Sequence, residues 1–138
     1  MASEASVPNA AMWFLYTGAD GEAVPMDVTH LRGHPAVRVI PANAFEGRRQ
    51  LKQVELPAGL LKIGEEAFAS CERLEIVELP EGLQEIGESA FYDCTSLRRM
   101  KMPSSITVIP PAAFSDCKQL IEVELPEGLQ EIGEYAFS

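Results

Sequence analysis

Leu74-Glu75-Ile76-Val77-Glu78-Leu79-Pro80-Glu81-Gly82-Leu83-Gln84-Glu85-Ile86-Gly87 decides the fold, because the same phrase returns along the chain and closes each time on Ala-Phe. Val77 and Leu79 alternate with Glu78, the period-2 signature of a strand with one buried face. Pro80 removes a ladder donor where that strand ends. Leu83 and Ile86 form a short extended return side, and Gly87 is expected to allow a sharp turn. The segment 88–94, with Ala90 and Phe91, is too short for a full helix and predicts one helical or 3₁₀ turn on the convex side.

Working outward, Phe45, Phe68, Phe91, Phe114 and Phe137 each follow an alanine and lie 23 residues apart, with no insertion or deletion. A fixed period of this size marks a solenoid, in which each coil buries its apolar edge against its neighbours. Five coils are legible. The first is degenerate, with Val28, Leu31, Val37, Ile40 and Ala44 on the positions held next by Leu51, Val54, Leu60, Ile63 and Ala67. Leu97, Met100, Ile106, Ile109 and Ala113 occupy them in coil four, with Met102 as a further apolar position, and Leu120, Val123, Leu129, Ile132 and Ala136 in coil five, with Leu125. Positions that stay apolar in every copy point into the coil, where both neighbours constrain volume.

Before the repeats, residues 1–10 read as a loose, small and polar tail. Residues 11–27 combine an aromatic run, Trp13 to Tyr16, with the glycine-bearing turn Gly18-Ala19-Asp20-Gly21 and a second extended stretch to Met26. They predict a hairpin that caps the first coil. Residues 28–138 are the repeats, and the sixth coil is opened by Phe137-Ser138 without its later apolar positions. The faces of Val123, Leu125, Ile132 and Phe137 are therefore expected to form an exposed apolar edge beside an unpaired strand. Such an edge implies a longer array, or self-association through the uncapped C-terminal coil.

With these markers in place, Leu-x-x-Val-x-Leu-Pro followed by Gly-Leu-x-x-Ile-Gly-x-x-Ala-Phe-x-x-Cys-x-x-Leu resembles the BspA-type leucine-rich repeat, over residues 28 to 138. The resemblance implies a β-rich, right-handed solenoid with a parallel sheet on its concave face, short turns or 3₁₀ segments on the convex side, and protein binding on that sheet. Members share a scaffold and differ in their partners. Two departures stand out: Arg48 replaces the cysteine of the pattern in coil one, and Pro110 replaces the glycine in coil four.

Composition limits the function classes. A formal charge of −10 and a pI near 4.6 oppose binding to nucleic-acid phosphates, which needs clustered cations. No apolar run approaches the ~20 residues of a membrane span, and Ala11 to Tyr16 lacks the basic residues and length of a signal peptide. With Met1 as the true start, a cytoplasmic protein is expected. Cys71, Cys94 and Cys117 form a column at the repeat period, unlike the close pairs of a zinc site, and read as reduced, buried packing residues. His30 and His34, with Asp27, invite a metal hypothesis, but Gly33 and Pro35 flank His34 and the repeat phase puts His30 on a strand, so no helical chelate can form. No phosphate loop and no Ser/His/Asp or Cys/His set can be assembled. Neither enzyme chemistry nor a cofactor is expected.

The concave surface remains. Its phase predicts three outward columns: Arg32, Glu55, Glu78, Lys101 and Glu124; His30, Gln53, Ile76, Arg99 and Glu122; and Thr29, Lys52, Glu75, Arg98 and Ile121. Arg98, Arg99 and Lys101 would form one basic stripe bordered by Glu78 and Glu124, with Ile76 and Ile121 as apolar anchors for a protein partner. Lys101 is expected to sit between two glutamates on adjacent strands. The same columns also describe a solvated, self-complementary face. Two functions stay open: a non-enzymatic module that binds a protein or peptide on the concave sheet, and a structural spacer within a longer repeat array.

Overall fold

The computed structural model describes residues 12–138, so the expected tail at 1–10 lies outside the described residues. Residues 12–138 wind as a parallel-strand solenoid, with no helix among them. On the concave side run β1 (Trp13–Tyr16), β2 (His30–Gly33), β4 (Gln53–Glu55), β6 (Ile76–Glu78), β8 (Arg99–Lys101) and β10 (Glu122–Glu124). The return side carries β3 (Val39–Ile40), β5 (Lys62–Ile63), β7 (Glu85–Ile86), β9 (Val108–Ile109) and β11 (Glu131–Ile132). Apart from β1, the strands that pair are equivalents 23 residues apart, as Gln53 with Ile76 or Ile63 with Ile86.

Between the sheets lies a continuous apolar column. Phe45, Phe68, Phe91 and Phe114 are fully buried. Their rings stack with centroids 5.4 Å apart, Phe114 continues onto Phe137 at 5.5 Å, and Tyr16 closes the first end edge-on against Phe45 at 5.1 Å. Coil five leaves the other end open. Ile132 and Leu125 are exposed there, and Phe137 keeps 40% of its surface in solvent.

Three local expectations are corrected. The cap is not a hairpin: β1 is its one strand and runs parallel to β2, Trp13 opposite His30 and Tyr16 opposite Gly33. A parallel strand extends the concave ladder and satisfies the edge of coil one, which a free-standing hairpin would leave open. Arg48 fastens this cap, its Nη1 donating to the carbonyls of Val24 at 2.6 Å and Pro25 at 2.8 Å. Where the cysteine pattern fails in coil one, a longer donor reaches the cap.

The convex segment is not a 3₁₀ turn. Two columns of residues take left-handed backbone: Asn43, Glu66, Ser89, Ala112 and Tyr135, then Gly47, Ser70, Asp93 and Asp116. Side chains other than glycine disfavour that region, but it turns their amides toward the next coil. Glu66 donates to Glu88 at 3.0 Å, Ser70 to Tyr92 at 2.7 Å, and Phe68, between them, to Ala90 at 2.9 Å. This convex ladder repeats in every coil, and its hydrogen bonds offset the local strain.

Gly87, third, has no left-handed backbone; it is needed for closeness. A Cβ on Gly87 would stand 2.5 Å from the nitrogen of Glu65 and 2.6 Å from the carbonyl carbon of Gly64, and Gly64 and Gly133 meet the preceding coil in the same way. Gly87→Ala is accordingly expected to destabilise the protein by at least the ~1–3 kcal/mol of an overpacked site, because backbone atoms cannot step aside. Gly128 faces open space, so Gly128→Ala should stay within about 0.5 kcal/mol of wild type. Chemical denaturation of the two variants checks this, and equal losses would refute the close-approach argument.

Pro110 takes the glycine's place in coil four, and there the sheets part. Gly64, Gly87 and Gly133 each donate to the isoleucine carbonyl of the preceding coil at 2.7 Å. Proline has no N–H to give and carries a Cβ. The return strands fall into β3-β5-β7 and β9-β11, and the concave strands into β1-β2-β4-β6 and β8-β10. The convex ladder crosses this seam unbroken: Phe91 donates to Ala113 at 2.9 Å and Asp93 to Ser115 at 2.8 Å. Side chains staple the corner. Ser104 Oγ donates to Glu81 at 2.7 Å, and Ser105 Oγ accepts from the Gly82 amide at 3.1 Å and donates to the Leu83 carbonyl at 2.6 Å.

Candidate interaction surface

The strands place the outward side chains in the expected columns, because period-2 alternation buries Val77 and Met100 and turns Ile76, Glu78, Arg99 and Lys101 to solvent. At the seam between coils three and four, Ile76, Arg98, Arg99, Lys101 and Ile121 gather with Glu75 and Val77 around one depression of about 510 Å³. Ile76 and Ile121 are 46% and 76% exposed. Glu78 lines an adjoining hollow of about 340 Å³ that shares Lys101 and Val77. Glu124 lies outside both, opposite Lys101 in the register.

Charge pairing differs from expectation at one position. Arg32 meets Glu55 at 2.9 Å and Arg99 meets Glu122 at 3.4 Å. Lys101 was expected between Glu78 and Glu124, yet among the described residues it has no ion-pair partner. On the Glu78 side the seam is the reason, since β6 does not pair with β8; Glu124 stands in register with Lys101, and nothing in the structure explains why it makes no ion pair there. Arg98 also stands without an ion pair among the described residues. Exposed pairs contribute only about 0–1 kcal/mol each, so two free cations are an affordable surface feature with charge left over for a ligand.

The backbone is also open here. In coils two, three and five, two successive amides donate to one carbonyl of the coil before: Lys52 and Gln53 to Thr29, Glu75 and Ile76 to Lys52, Ile121 and Glu122 to Arg98. The equivalent bonds from Arg98 and Arg99 to Glu75 are absent among the described residues. Among the described residues the depression thus holds two amides that lack the acceptor their equivalents have in the preceding coil, as well as the basic side chains. Sequence reasoning named the side chains and missed the amides, although Pro110 together with Met100 and Met102 in the strand marks coil four as the odd copy.

A second depression of about 480 Å³ opens on the return side, lined by Val39, Pro41, Lys62, Glu85 and Pro110 among others. Its lysine is already paired with Glu85 at 3.7 Å.

The titratable residues raised by the sequence have structural partners. His34 Nδ1 accepts from the Ala36 amide at 2.9 Å; His30 Nδ1 pairs with Thr29 Oγ1 at 2.9 Å, and its ring stands edge-on to Trp13 at 5.0 Å. Among the described residues no three His, Cys, Asp or Glu side chains come together as metal ligands do. The cysteine column is more than packing. Cys71, Cys94 and Cys117 donate Sγ–H bonds to the carbonyls of Phe45, Phe68 and Phe91, at 3.2, 3.1 and 3.1 Å. Burial pushes Cys71 up to about 12 and Cys117 up to about 11, and Cys94 further still. A thiol so held stays protonated at neutral pH and is a poor nucleophile or metal ligand.

Among the described residues no helix is long and apolar enough to cross a membrane. No curated protein sequence matches the chain. Among solved structures, a leucine-rich repeat protein of T. pallidum is 21% identical, with a TM-score of 0.53 over 92% of this chain and 80% of that one. A leucine rich cell surface protein of Faecalibacterium prausnitzii A2-165 is 28% identical, with a TM-score of 0.54; the match covers 73% of this chain and 33% of that longer one. The family model of the BspA type leucine rich repeat region matches in six copies over residues 38–138. By its period, its stacked Ala-Phe column and this match, the chain belongs to the BspA-type leucine-rich repeat family.

Proposed function

We propose that this protein is a non-enzymatic interaction module that binds a protein or peptide on its concave sheet, centred on β8. Ile76, Arg98, Arg99, Lys101 and Ile121 form the contact, with Glu78 and Glu124 at its rim. The observation that carries the reading is the convergence of these five side chains on one depression, in a protein of net charge −10 where a local basic stripe is set against the overall field. Partly exposed isoleucines beside cations supply the apolar anchor and polar rim of a protein interface. The family often serves protein interaction, and its members are typically not enzymes, which agrees with the protonated thiols. Three unpaired cysteines favour a reducing compartment, in keeping with a cytoplasmic setting.

The test is the triple variant Arg98→Glu, Arg99→Glu, Lys101→Glu, beside Glu85→Lys on the return face as control. Affinity capture from the source organism should lose a partner with the triple variant and keep it with the control, at unchanged circular dichroism. An interactome that ignores the triple variant favours the spacer role in a longer array instead.

A further inference from the structure

The concave depression has a chemistry specific enough to name the class of its ligand, on the reading that the concave sheet is the binding surface. Its donors are all on coil four: the free side chains of Arg98 and Lys101, and the Arg98 and Arg99 amides that the seam leaves without acceptors among the described residues. Among the described residues no other concave strand combines these features. In β2 the cation Arg32 is held by Glu55 at 2.9 Å and its guanidinium lies over the Trp13 ring at 4.6 Å. Lys52 precedes Gln53 and Glu55 of β4, with the Lys52 and Gln53 amides bonded to Thr29, and β6 and β10 present mainly carboxylates. Cationic side chains beside unpaired backbone N–H groups form a receptor for carboxylates, since each bond to the anion is charge-assisted. On either side, Ile76 of coil three and Ile121 of coil five flank the basic strand.

We propose that this depression takes an acidic peptide segment of a partner protein, with its carboxylates on Arg98, Lys101 and the two free amides and an aliphatic side chain seated against Ile76 and Ile121. Glu75, which also lines the depression, works against such a ligand. Its neutralisation should tighten binding, the opposite of what a basic ligand would show. The protein's net negative charge makes association with an acidic segment slow at low salt, so selectivity rests on short-range contacts.

Fluorescence anisotropy on the full chain tests this with three labelled ten-residue peptides: Gly-Ser-Asp-Glu-Ile-Leu-Glu-Asp-Ser-Gly, the same peptide with lysine at every acidic position, and the same peptide with serine for Ile-Leu. The acidic aliphatic peptide should bind at least tenfold tighter than the other two. Arg98→Ala with Lys101→Ala should weaken it at least tenfold, Glu75→Gln should strengthen it two- to threefold, and Arg32→Ala should leave it unchanged. Preference for the lysine peptide, equal binding of all three, absence of binding by the acidic one, or indifference to the Arg98/Lys101 pair overturns the proposal. Cross-linking separates this failure from that of the broader reading: a lysine peptide mapped to β6 and β8 keeps the concave interface with a basic partner, and a peptide mapped to the return face removes both.

Discussion

Phe91→Ala is expected to cost about 3–5 kcal/mol, a large share of the 5–15 kcal/mol that holds a domain of this kind together. The ring is fully buried between Phe68 and Phe114, both 5.4 Å away and within 2° of parallel. The rise between coils is set by hydrogen bonds on either side of this column, including Phe91 N–H to the Ala113 carbonyl at 2.9 Å. The backbone is therefore not free to collapse into the space that alanine leaves, so the cavity contribution adds to the lost transfer energy. Phe137→Ala removes the same atoms from the open end, where the ring has one stacked neighbour and 40% exposure, and should cost less than half as much. Urea denaturation of both variants decides the matter. Equal losses would mean that the stack is not the element that joins the coils.

Much of this architecture is legible in the sequence because a repeat averages out noise. One apolar residue proves little, whereas Ile63, Ile86, Ile109 and Ile132 at a constant period fix the face they line, and the three outward columns of the concave sheet follow from them. The backbone that joins the coils is less legible. Glu66, Ser89, Ala112 and Tyr135 share left-handed geometry with no common side chain to announce it; Tyr135 keeps it without a following coil, so it belongs to the local turn, closed there by Ala136 N–H to the Gly133 carbonyl. Gly87 illustrates the opposite difficulty. A glycine in sequence allows both a positive φ and a close approach, and only the position of Glu65 and Gly64 against its missing Cβ decides between them.

The candidate surface divides along the same line. Arg98, Arg99, Lys101, Ile76 and Ile121 were legible as outward side chains of known phase, and the depression they share follows from that phase. What phase could not convey is the seam. The single substitution of Pro110 for glycine removes one donor and adds one Cβ on the return side, and the concave ladder opens at the same coil, at Arg98 and Arg99, while Phe91 and Phe114 stay stacked at 5.4 Å between the two openings. Met100 and Met102 are buried at the same coil, long flexible side chains at positions where coil three has Val77 and Leu79.

Stability should fall steeply above pH 9 in a manner traceable to the thiol column. An unfolded cysteine titrates near its ordinary value of 9.0, while burial, the largest influence on each, raises Cys71 to about 12 and Cys94 beyond that. These thiols must be protonated to donate to the carbonyls of Phe45 and Phe68. Between pH 9 and about 12 the folded protein keeps protons that the unfolded chain releases, so the contribution of the column is fully present below pH 9 and is lost as pH rises through the folded values. Each thiol costs about 1.4 kcal/mol per pH unit in that window. Two of them over two units amount to roughly 5 kcal/mol by pH 11, enough to unfold a marginal domain. Cys117 and the Tyr16 phenol, the latter raised by burial and then by Glu22, act in the same direction. The double variant Cys71→Ser, Cys94→Ser keeps a donor at both positions and removes the titration, so under reducing conditions its urea midpoint should decline far less between pH 8.5 and 10.5 than that of wild type. Parallel declines would assign the alkaline loss to groups other than these two thiols and leave Cys71 and Cys94 as simple packing.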